Sequence, residues 1–157
     1  NQVMQEGGAL EGLKIARERG LIGHIGISSH SLDVVEKAIL CSEFDTVMLE
    51  YSAFYQDTEK LITMAGEMGV GVIAMRPLGG SGRTSAIRTR MKASGQETTL
   101  TPALLLRYVL SNPHISVAIP GMRYPSSVNQ NMDVAGAFEP LDDAQKRHCA
   151  REAALLF

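Results

Sequence analysis

The sequence contains no tryptophan, only two cysteines, and few aromatic residues, which make up 5% of its 157 positions. Cys41 and Cys149 lie far apart, and both fall in segments with helical patterning. We therefore expect two buried or half-buried free thiols rather than a disulfide. No His or Cys pair has the spacing of zinc ligands, so no metal site is expected.

An excess of charge and long apolar runs are also absent. The formal net charge is −2, which gives no reason to expect nucleic acid or an anionic membrane surface as a partner. No apolar run is long enough to cross a bilayer, and no signal-peptide pattern is present, so we expect a cytoplasmic protein. With 45% hydrophobic and 20% charged residues, the composition is that of one globular domain spanning residues 1–157.

Short apolar segments alternate with helix-like segments along the chain. The strand-like segments are 24–28, 46–49, 70–75 and 115–119. A helix over 9–19 precedes the first, and each is followed by apolar residues at helical spacing. We expect the first strand to be buried and the second, which is continuously apolar, to be covered on both faces. The alternation predicts four parallel βα units with right-handed crossovers.

Residues at helix starts predict where several helices begin. Thr101 followed by Pro102 is a cap and a first-turn proline. Asp142 with Gln145 is a capping box, which predicts a last helix to about residue 155. Ser31 is placed to cap the helix that follows the first strand.

Two stretches are less clearly patterned. Residues 83–99 are polar and weakly patterned, which is typical of an excursion from the fold or of a partly mobile segment. After the fourth strand, Pro125 begins a helix that bears Val128, Met132 and Ala135.

The number of units limits the architecture. A closed (β/α)8 barrel needs eight strands and roughly 200 residues or more. Four units with a leading helix are therefore either half of such a barrel or a small open α/β sheet.

The strand ends carry a more specific pattern. Residues 24–30 read HIGISSH, 44–52 read FDTVMLEYS, 71–80 read GVIAMRPLGG and 116–123 read SVAIPGMR. In this order they resemble the fifth to eighth strands of the aldo/keto reductase barrel, and together they cover nearly the whole chain. The resemblance implies an α/β fold of four parallel βα units that form a half (β/α)8 TIM barrel of aldo/keto reductase type. The most similar branch often carries a C-terminal iron–sulfur segment, but the cysteines for a cluster are missing here.

The resemblance also implies an NADP site, whose nicotinamide end lies at the first three strands. It assigns Ser28 and Ser29 to hydrogen bonds with the carboxamide, and Met75 to a contact of its sulfur with the ring. From the residues alone, Ser28, Ser29 and Ser31 are equally placed to cap the next helix, and Met75 to lie in the core. Met48 stands where relatives place a glutamine that contacts the carboxamide, and a thioether donates no hydrogen bond.

The loop after the third strand is basic and rich in glycine. It contains Arg76, Gly79 and Gly80, and continues through Ser81 and Gly82. Glycines let a backbone approach a pyrophosphate closely, and the resemblance assigns Arg76 and Gly79 to this group. A plain flexible connection is the alternative, since the P-loop pattern is absent.

The segment after the fourth strand corresponds to the adenosine end of the cofactor. Gly121 and Arg123 precede a helix start, where backbone N–H groups and the helix dipole favour an anion. The resemblance assigns Arg123 to the 2′-phosphate of NADPH, and Gln130 and Asn131 to the adenine edge. Ser127 belongs to the same site but stands where some relatives have a second phosphate-binding arginine, which predicts a lower affinity for NADP.

The catalytic groups of the family have no counterpart in the sequence. Family members reduce carbonyls with hydride from NADPH and a tyrosine acid supported by Lys, Asp and His, all within the first four βα units. Tyr51 and Tyr55 lie near the predicted mouth of the sheet, but no Lys or Asp is placed to lower a tyrosine pKa. We interpret both as packing or substrate-wall residues and assign no catalytic residue. The isolated chain is not expected to be a competent reductase.

A half-barrel also needs a partner, because its outer strands are unpaired edges and its concave face is apolar. We expect a homodimer or a complementary N-terminal half to cover them. Three hypotheses remain at this point: an NADP-linked oxidoreductase half, a non-catalytic module that binds a nucleotide or another anion, and a structural remnant that dimerises and binds nothing.

Overall fold

The computed structural model describes residues 3–80 and 98–156. Within these ranges the strands are β1 (Gly26–Ser28), β2 (Thr46–Glu50), β3 (Gly71–Met75) and β4 (Ile115–Ile119). The helices are α1 (Ala9–Glu18), α2 (Leu32–Leu40), α3 (Glu59–Glu67), α4 (Pro102–Leu110), α5 (Pro125–Gly136) and α6 (Asp143–Leu155). The predicted alternation is confirmed. Ser81, Gly82 and most of the predicted excursion at 83–99 lie outside the described residues.

The strand order decides between the two architectures that the sequence left open. The four strands form one sheet in the order β1-β2-β3-β4, and each neighbouring pair is parallel. A doubly wound sheet reverses its strand order at a switch point, whereas a barrel wall adds its strands in chain order. The order is therefore that of a barrel wall.

One face of the sheet packs against helices and forms the core. Val47 and Leu49 of β2 and Val72 and Ala74 of β3 are all 0% exposed. Helix α2 packs on β1 and β2, α3 on β3, and α4 on β4. The helices contribute their own apolar stripes to this core, namely Val35, Ala38, Ile39, Ile62, Ala65, Leu105 and Val109. We call this the covered face.

The opposite face of the same strands is not buried to the same degree. Its side chains, which we call the open sheet face, are Ser28, Met48, Ile73, Met75, Val117 and Ile119. Val117 and Ile119 are 47% and 43% exposed. The prediction that β2 is covered on both faces is wrong, since burial alternates along it, and Gly26 and Ser28 of β1 are also exposed. Helices of the described residues cover the sheet from one side.

A bulge interrupts the pairing of β3 with β4. Val72 pairs with Ile115 and Ile73 pairs with Val117, so Ser116 has no partner residue in the ladder. Its hydroxyl oxygen instead accepts a hydrogen bond from the backbone N–H of Val72 at 3.2 Å. The side chain thus replaces the backbone acceptor that the bulge moves out of line.

Two of the three predicted helix caps are formed. The Thr101 hydroxyl accepts from the Leu104 N–H at 3.1 Å. Asp142 and Gln145 accept from each other's backbone N–H at 2.8 and 3.0 Å, as a capping box requires. Ser31 is the N-cap residue of α2, but its hydroxyl makes no cap hydrogen bond, which corrects the third prediction.

The remaining features of the described residues concern thiols, metals and membranes. Cys149 is buried and Cys41 half-buried, both as free thiols. No cluster of His, Cys, Asp and Glu in these ranges is arranged to hold a metal ion. None of the helices found there combines the length and the hydropathy of a membrane span. The predicted helix start at Pro125 is confirmed, and Val128, Met132 and Ala135 on this helix are exposed.

Candidate functional site

The carboxyl ends of the four parallel strands lie at one edge of the sheet, and most of the predicted site residues are there. Ser28 and Ser29 end β1, Met75 and Arg76 end β3, and Gly121 lies two residues beyond β4. Barrel enzymes bind their ligands at this edge, where the βα loops meet. The structure therefore brings the predicted residues of three strands to the same side of the molecule.

The β1 end shows how the serines are used within the fold. The Ser29 N–H donates to the Met48 carbonyl at 3.1 Å, which extends the β1–β2 pairing by one residue. The Ser29 hydroxyl oxygen accepts from the Ser31 N–H at 3.0 Å and so turns the chain into α2. Ser28 is exposed on the open sheet face, in register with Met48. Of the two serines, Ser28 is the one whose hydroxyl has no local hydrogen bond among the described contacts.

Met75 lies on the open sheet face and not in the core. It is half-buried, and its register partners are Glu50 on one side and Ile119 on the other. Its thioether is therefore exposed enough to contact a flat ligand laid across the strand ends. Met48, which pairs with Ile73 two residues before Met75, is also half-buried on this face.

Arg76 has an unusual backbone and a defined side-chain partner. Its φ is +54°, in the left-handed region that non-glycine residues seldom adopt. Its Nη1 donates to Glu50 Oε2 at 3.1 Å, and the two side chains are 54% and 9% exposed. The guanidinium thus lies across the carboxyl ends of β2 and β3.

Gly79 and Gly80, which follow Arg76, both have positive φ and close neighbours. The Gly79 N–H donates to the Arg76 carbonyl at 2.8 Å and closes a turn. Gly79 and Gly80 have φ values of +84° and +77°. A Cβ on Gly79 would lie 2.6 Å from a ring carbon of Phe54, and one on Gly80 would lie 3.3 Å from Cδ of Arg76. Glycine is therefore favoured at both positions by conformation and by space.

Glu50 and His30 were missed by the sequence reasoning. Glu50 Oε2, which binds Arg76, also lies 3.7 Å from His30 Nδ1. Both side chains line a cavity of about 80 Å³ beside Ser29, Tyr55 and Thr58. The cavity has room for waters or a small polar group and not for a dinucleotide. A carboxylate in the last position of an otherwise apolar strand was the signal that could have found this cluster.

The residues predicted for the adenosine end of the cofactor lie in the β4–α5 connection and in α5. Arg123 is exposed, and the N-cap residue Tyr124 makes no side-chain hydrogen bond to the start of α5. Ser127, Gln130 and Asn131 are spaced i, i+3 and i+4, so they share one face of this helix. A Cβ on Gly121 would meet nothing within 4 Å, so the packing of this chain does not itself require glycine there.

Tyr51 and Tyr108 are both buried, and their pKa values are raised. Tyr51 is 2% exposed and stacks on Tyr108 with ring centroids 5.9 Å apart. Burial raises the pKa of the Tyr51 hydroxyl, even though Asn112 hydrogen-bonds it. Burial, with the neighbouring Tyr51, also raises the pKa of Tyr108. A general acid works best with a pKa near the working pH, so both are placed for packing.

Comparison with known proteins gives the same architecture. The model of the aldo/keto reductase family matches residues 8–151. Aldo-keto reductase AKR11C1 from Bacillus halodurans, in its holo form, superposes with a TM-score of 0.71 at 20% identity, covering 90% of this chain and 54% of that one. Aldose reductase from Giardia lamblia gives a TM-score of 0.68 at 17% identity, covering 93% and 50%.

Sequence relatives have the same family name. A probable aldo-keto reductase 1 from Glycine max is 25% identical over 150 residues, which cover 76% of this chain and 43% of that protein. An aldo-keto reductase from Gibberella moniliformis is 36% identical over 73 residues, or 45% of this chain and 22% of that protein. The chain spans less than half the length of these relatives and about half of the solved structures. The predicted fold is confirmed, and the chain belongs to the aldo/keto reductase family.

Proposed function

We propose that the chain is the C-terminal, nucleotide-holding half of an aldo/keto reductase barrel, and that it binds NADP(H) mainly through its adenosine end. The observation that carries this proposal is the common edge at which β1, β3 and β4 present the predicted site residues. When bound, NADPH supplies the hydride for carbonyl reduction in this family. The residues described below account for binding alone.

The residues present fit the two ends of the cofactor unequally. At the adenosine end, Arg123 stands before an uncapped helix start, and Gln130 and Asn131 follow on one helix face. Guanidinium and backbone N–H groups are the usual partners of phosphate. At the nicotinamide end, Ser28 and Met75 face the open side of the sheet, but Met48 brings a thioether where an amide would orient the carboxamide. Binding should therefore be weak and should depend on the adenosine phosphate.

We propose further that the described residues of this half do not supply the proton that carbonyl reduction needs. The two buried tyrosines have raised pKa values, whereas a tyrosine acid needs a pKa lowered by a nearby cation. We therefore propose that the chain alone does not turn over, and that turnover requires a complementary N-terminal half. A cytoplasmic location and a single domain over residues 1–157 remain predictions.

Cofactor titration tests this proposal. NADPH added to the purified chain should show enhanced nicotinamide fluorescence that saturates, and NADH, which lacks the 2′-phosphate, should bind more weakly. Arg123→Gln should weaken NADPH binding roughly tenfold, the effect of one charge-assisted contact, and should leave NADH binding unchanged. Arg19→Gln is the matched control, because Arg19 is exposed at the opposite edge of the sheet.

Three outcomes would contradict the proposal. No fluorescence change up to millimolar NADPH would refute cofactor binding by the chain alone and would leave two hypotheses, a module that binds another anion and a structural remnant. Equal losses in Arg19→Gln and Arg123→Gln would refute the assigned phosphate contact. Aldehyde-dependent oxidation of NADPH by the chain alone would refute its catalytic incompetence.

A second candidate function is a non-catalytic module that homodimerises through the open sheet face. The exposure of Val117 and Ile119, on a strand at the edge of the sheet, favours it. Burying such a face removes apolar surface from water and covers unpaired strand edges. Sedimentation equilibrium of the purified chain should then give twice the mass of the 17.0 kDa chain; a stable monomer would contradict it.

A further inference from the structure

Three features restrict the Arg76 side chain, namely its own backbone conformation, Gly80 and Glu50. Its own backbone has a φ of +54°, a left-handed conformation that departs from the extended backbone of β3. Gly80 packs against its aliphatic stem, since a Cβ there would lie 3.3 Å from Arg76 Cδ and 3.7 Å from Cγ. Glu50 binds its guanidinium at 3.1 Å. A long, flexible side chain is thereby restricted to one region of the strand-end surface.

Glu50 is itself well fixed. Its backbone lies in the β2–β3 ladder opposite Met75, and the next residue, Tyr51, donates its N–H to the Met75 carbonyl at 3.3 Å. The Thr58 hydroxyl donates to the Glu50 carbonyl at 2.7 Å and ties it to the start of α3. Its side chain is 9% exposed. A carboxylate with this little freedom can orient the more exposed partner.

The guanidinium retains capacity for a ligand. Arginine carries five N–H donors in a rigid fork, and the contact with Glu50 uses Nη1. The side chain is 54% exposed, so more than half of its surface is accessible to a ligand. Ordering a side chain before binding reduces the entropy lost when the ligand arrives.

We infer that Glu50 and Gly80 are positioning residues that hold the Arg76 guanidinium for the diphosphate of a bound dinucleotide. This inference rests on the proposed function, because it supposes that a dinucleotide binds at this edge. Glu50 does not contact the ligand in this scheme and acts through Arg76. The Glu50–Arg76 pair belongs to β2 and β3, and is separate from the β4–α5 segment that binds the adenosine phosphate.

The test uses two probes and changes that move Arg76 without altering charge. NADPH contains the diphosphate, whereas adenosine 2′-phosphate contains only the adenosine end. Gly80→Ala should weaken NADPH binding roughly tenfold, equivalent to one lost charge-assisted hydrogen bond, and should leave adenosine 2′-phosphate binding unchanged. Gly69→Ala is the matched control: its φ of +72° gives the same backbone cost, and its Cβ meets nothing within 4 Å. It should leave the affinity for both probes as in the unmodified chain.

A double-mutant cycle shows whether the effect passes through Arg76. In an Arg76→Gln background, Gly80→Ala should produce no further loss of NADPH affinity, because the side chain that it displaces is gone. Glu50→Gln should weaken NADPH binding severalfold in the unmodified chain and not in the Arg76→Gln background. This second variant keeps the test decisive if Gly80→Ala fails to fold.

The outcomes separate this inference from the proposed function. If the unmodified chain binds neither probe, both are wrong. If it binds both probes and Gly80→Ala and Glu50→Gln weaken them equally or not at all, the positioning role is wrong and the proposed function stands. Tighter NADPH binding by Glu50→Gln would show that Glu50 competes with phosphate for Arg76, which also overturns the positioning role.

Discussion

The two faces of the sheet are made by the same strands and meet different surroundings. On the covered face, Leu49 and Val72 are 0% exposed beneath helices, whereas Val117 and Ile119 on the open sheet face remain more than 40% exposed. Val117 and Ile119 are as apolar as Leu49 and Val72, so side-chain polarity does not explain the difference. Helices of the described residues complete the covered face, whereas the open sheet face leaves large apolar side chains exposed.

The largest expected effect comes from removing an equal amount of side chain from each face. Leu49→Ala should lower the free energy of unfolding by about 2–5 kcal/mol, because it leaves a cavity in the closed core. Ile73→Ala, on the neighbouring strand, should cost about 1 kcal/mol, since Ile73 is only half-buried. Urea unfolding at low protein concentration measures both. Equal losses would mean that the open sheet face is already covered in solution.

The second-largest expected effect comes from a charge placed on the open sheet face, which should weaken association and leave the chain folded. If two copies pair through it, Val117→Lys should raise the dimer dissociation constant by more than about tenfold, because a lysine would be buried without a partner. Sedimentation measures this shift. Leu21→Lys is the matched control, since Leu21 is 73% exposed in the α1–β1 connection. Unchanged association in Val117→Lys would place the interface elsewhere.

The smallest effect concerns the edge strand β1 and depends on pH. Asp45 accepts a hydrogen bond from the Ile25 N–H at 2.7 Å. This bond lowers the pKa of Asp45 against a smaller opposing effect of burial, with further lowering by His24 and Arg17. Because the folded-state pKa is lowered, the contribution to stability is present above the usual aspartate pKa and is lost as pH falls through the lowered value.

Amide exchange at Ile25 reports on this contact. After correction for intrinsic rates, its protection should decrease as the solution is acidified through that range, while the protection of Val72, in the interior of the sheet, stays constant. In Asp45→Asn the acid-dependent change at Ile25 should disappear. A pH-independent protection factor at Ile25 in the unmodified chain would contradict the assignment.

The fold was largely predictable because its signals are local or periodic. The Thr101–Pro102 start and the Asp142–Gln145 capping box need only neighbouring residues, and both are formed. Strand alternation with helices was enough to predict a parallel sheet. The burial of β2 was predicted incorrectly. An apolar residue in the sequence does not show whether another segment packs on its side chain.

The candidate site was predictable only where a residue acts alone. The strand-end positions of Ser28, Met75 and Arg76 follow from the segment boundaries. Glu50 was missed because its role depends on Arg76, which is brought beside it by the register of β2 with β3. The sequence also could not show which serine forms the hydrogen bond that leads into α2. Ser29 and Ser31 have the same side chain, and only the structure shows that the Ser29 hydroxyl accepts from the Ser31 N–H.

The bulge at Ser116 has a consequence for which surface the β4 side chains meet. In a regular strand, Ile115, Val117 and Ile119 would all point to one side, because side chains alternate with a period of two. One extra residue changes that parity, so Ile115 lies in register with Val72 of the covered face while Val117 and Ile119 lie with Ile73 and Met75. Because of one inserted serine, Ile115 contributes to the interior, whereas Val117 and Ile119 contribute to the exposed apolar surface.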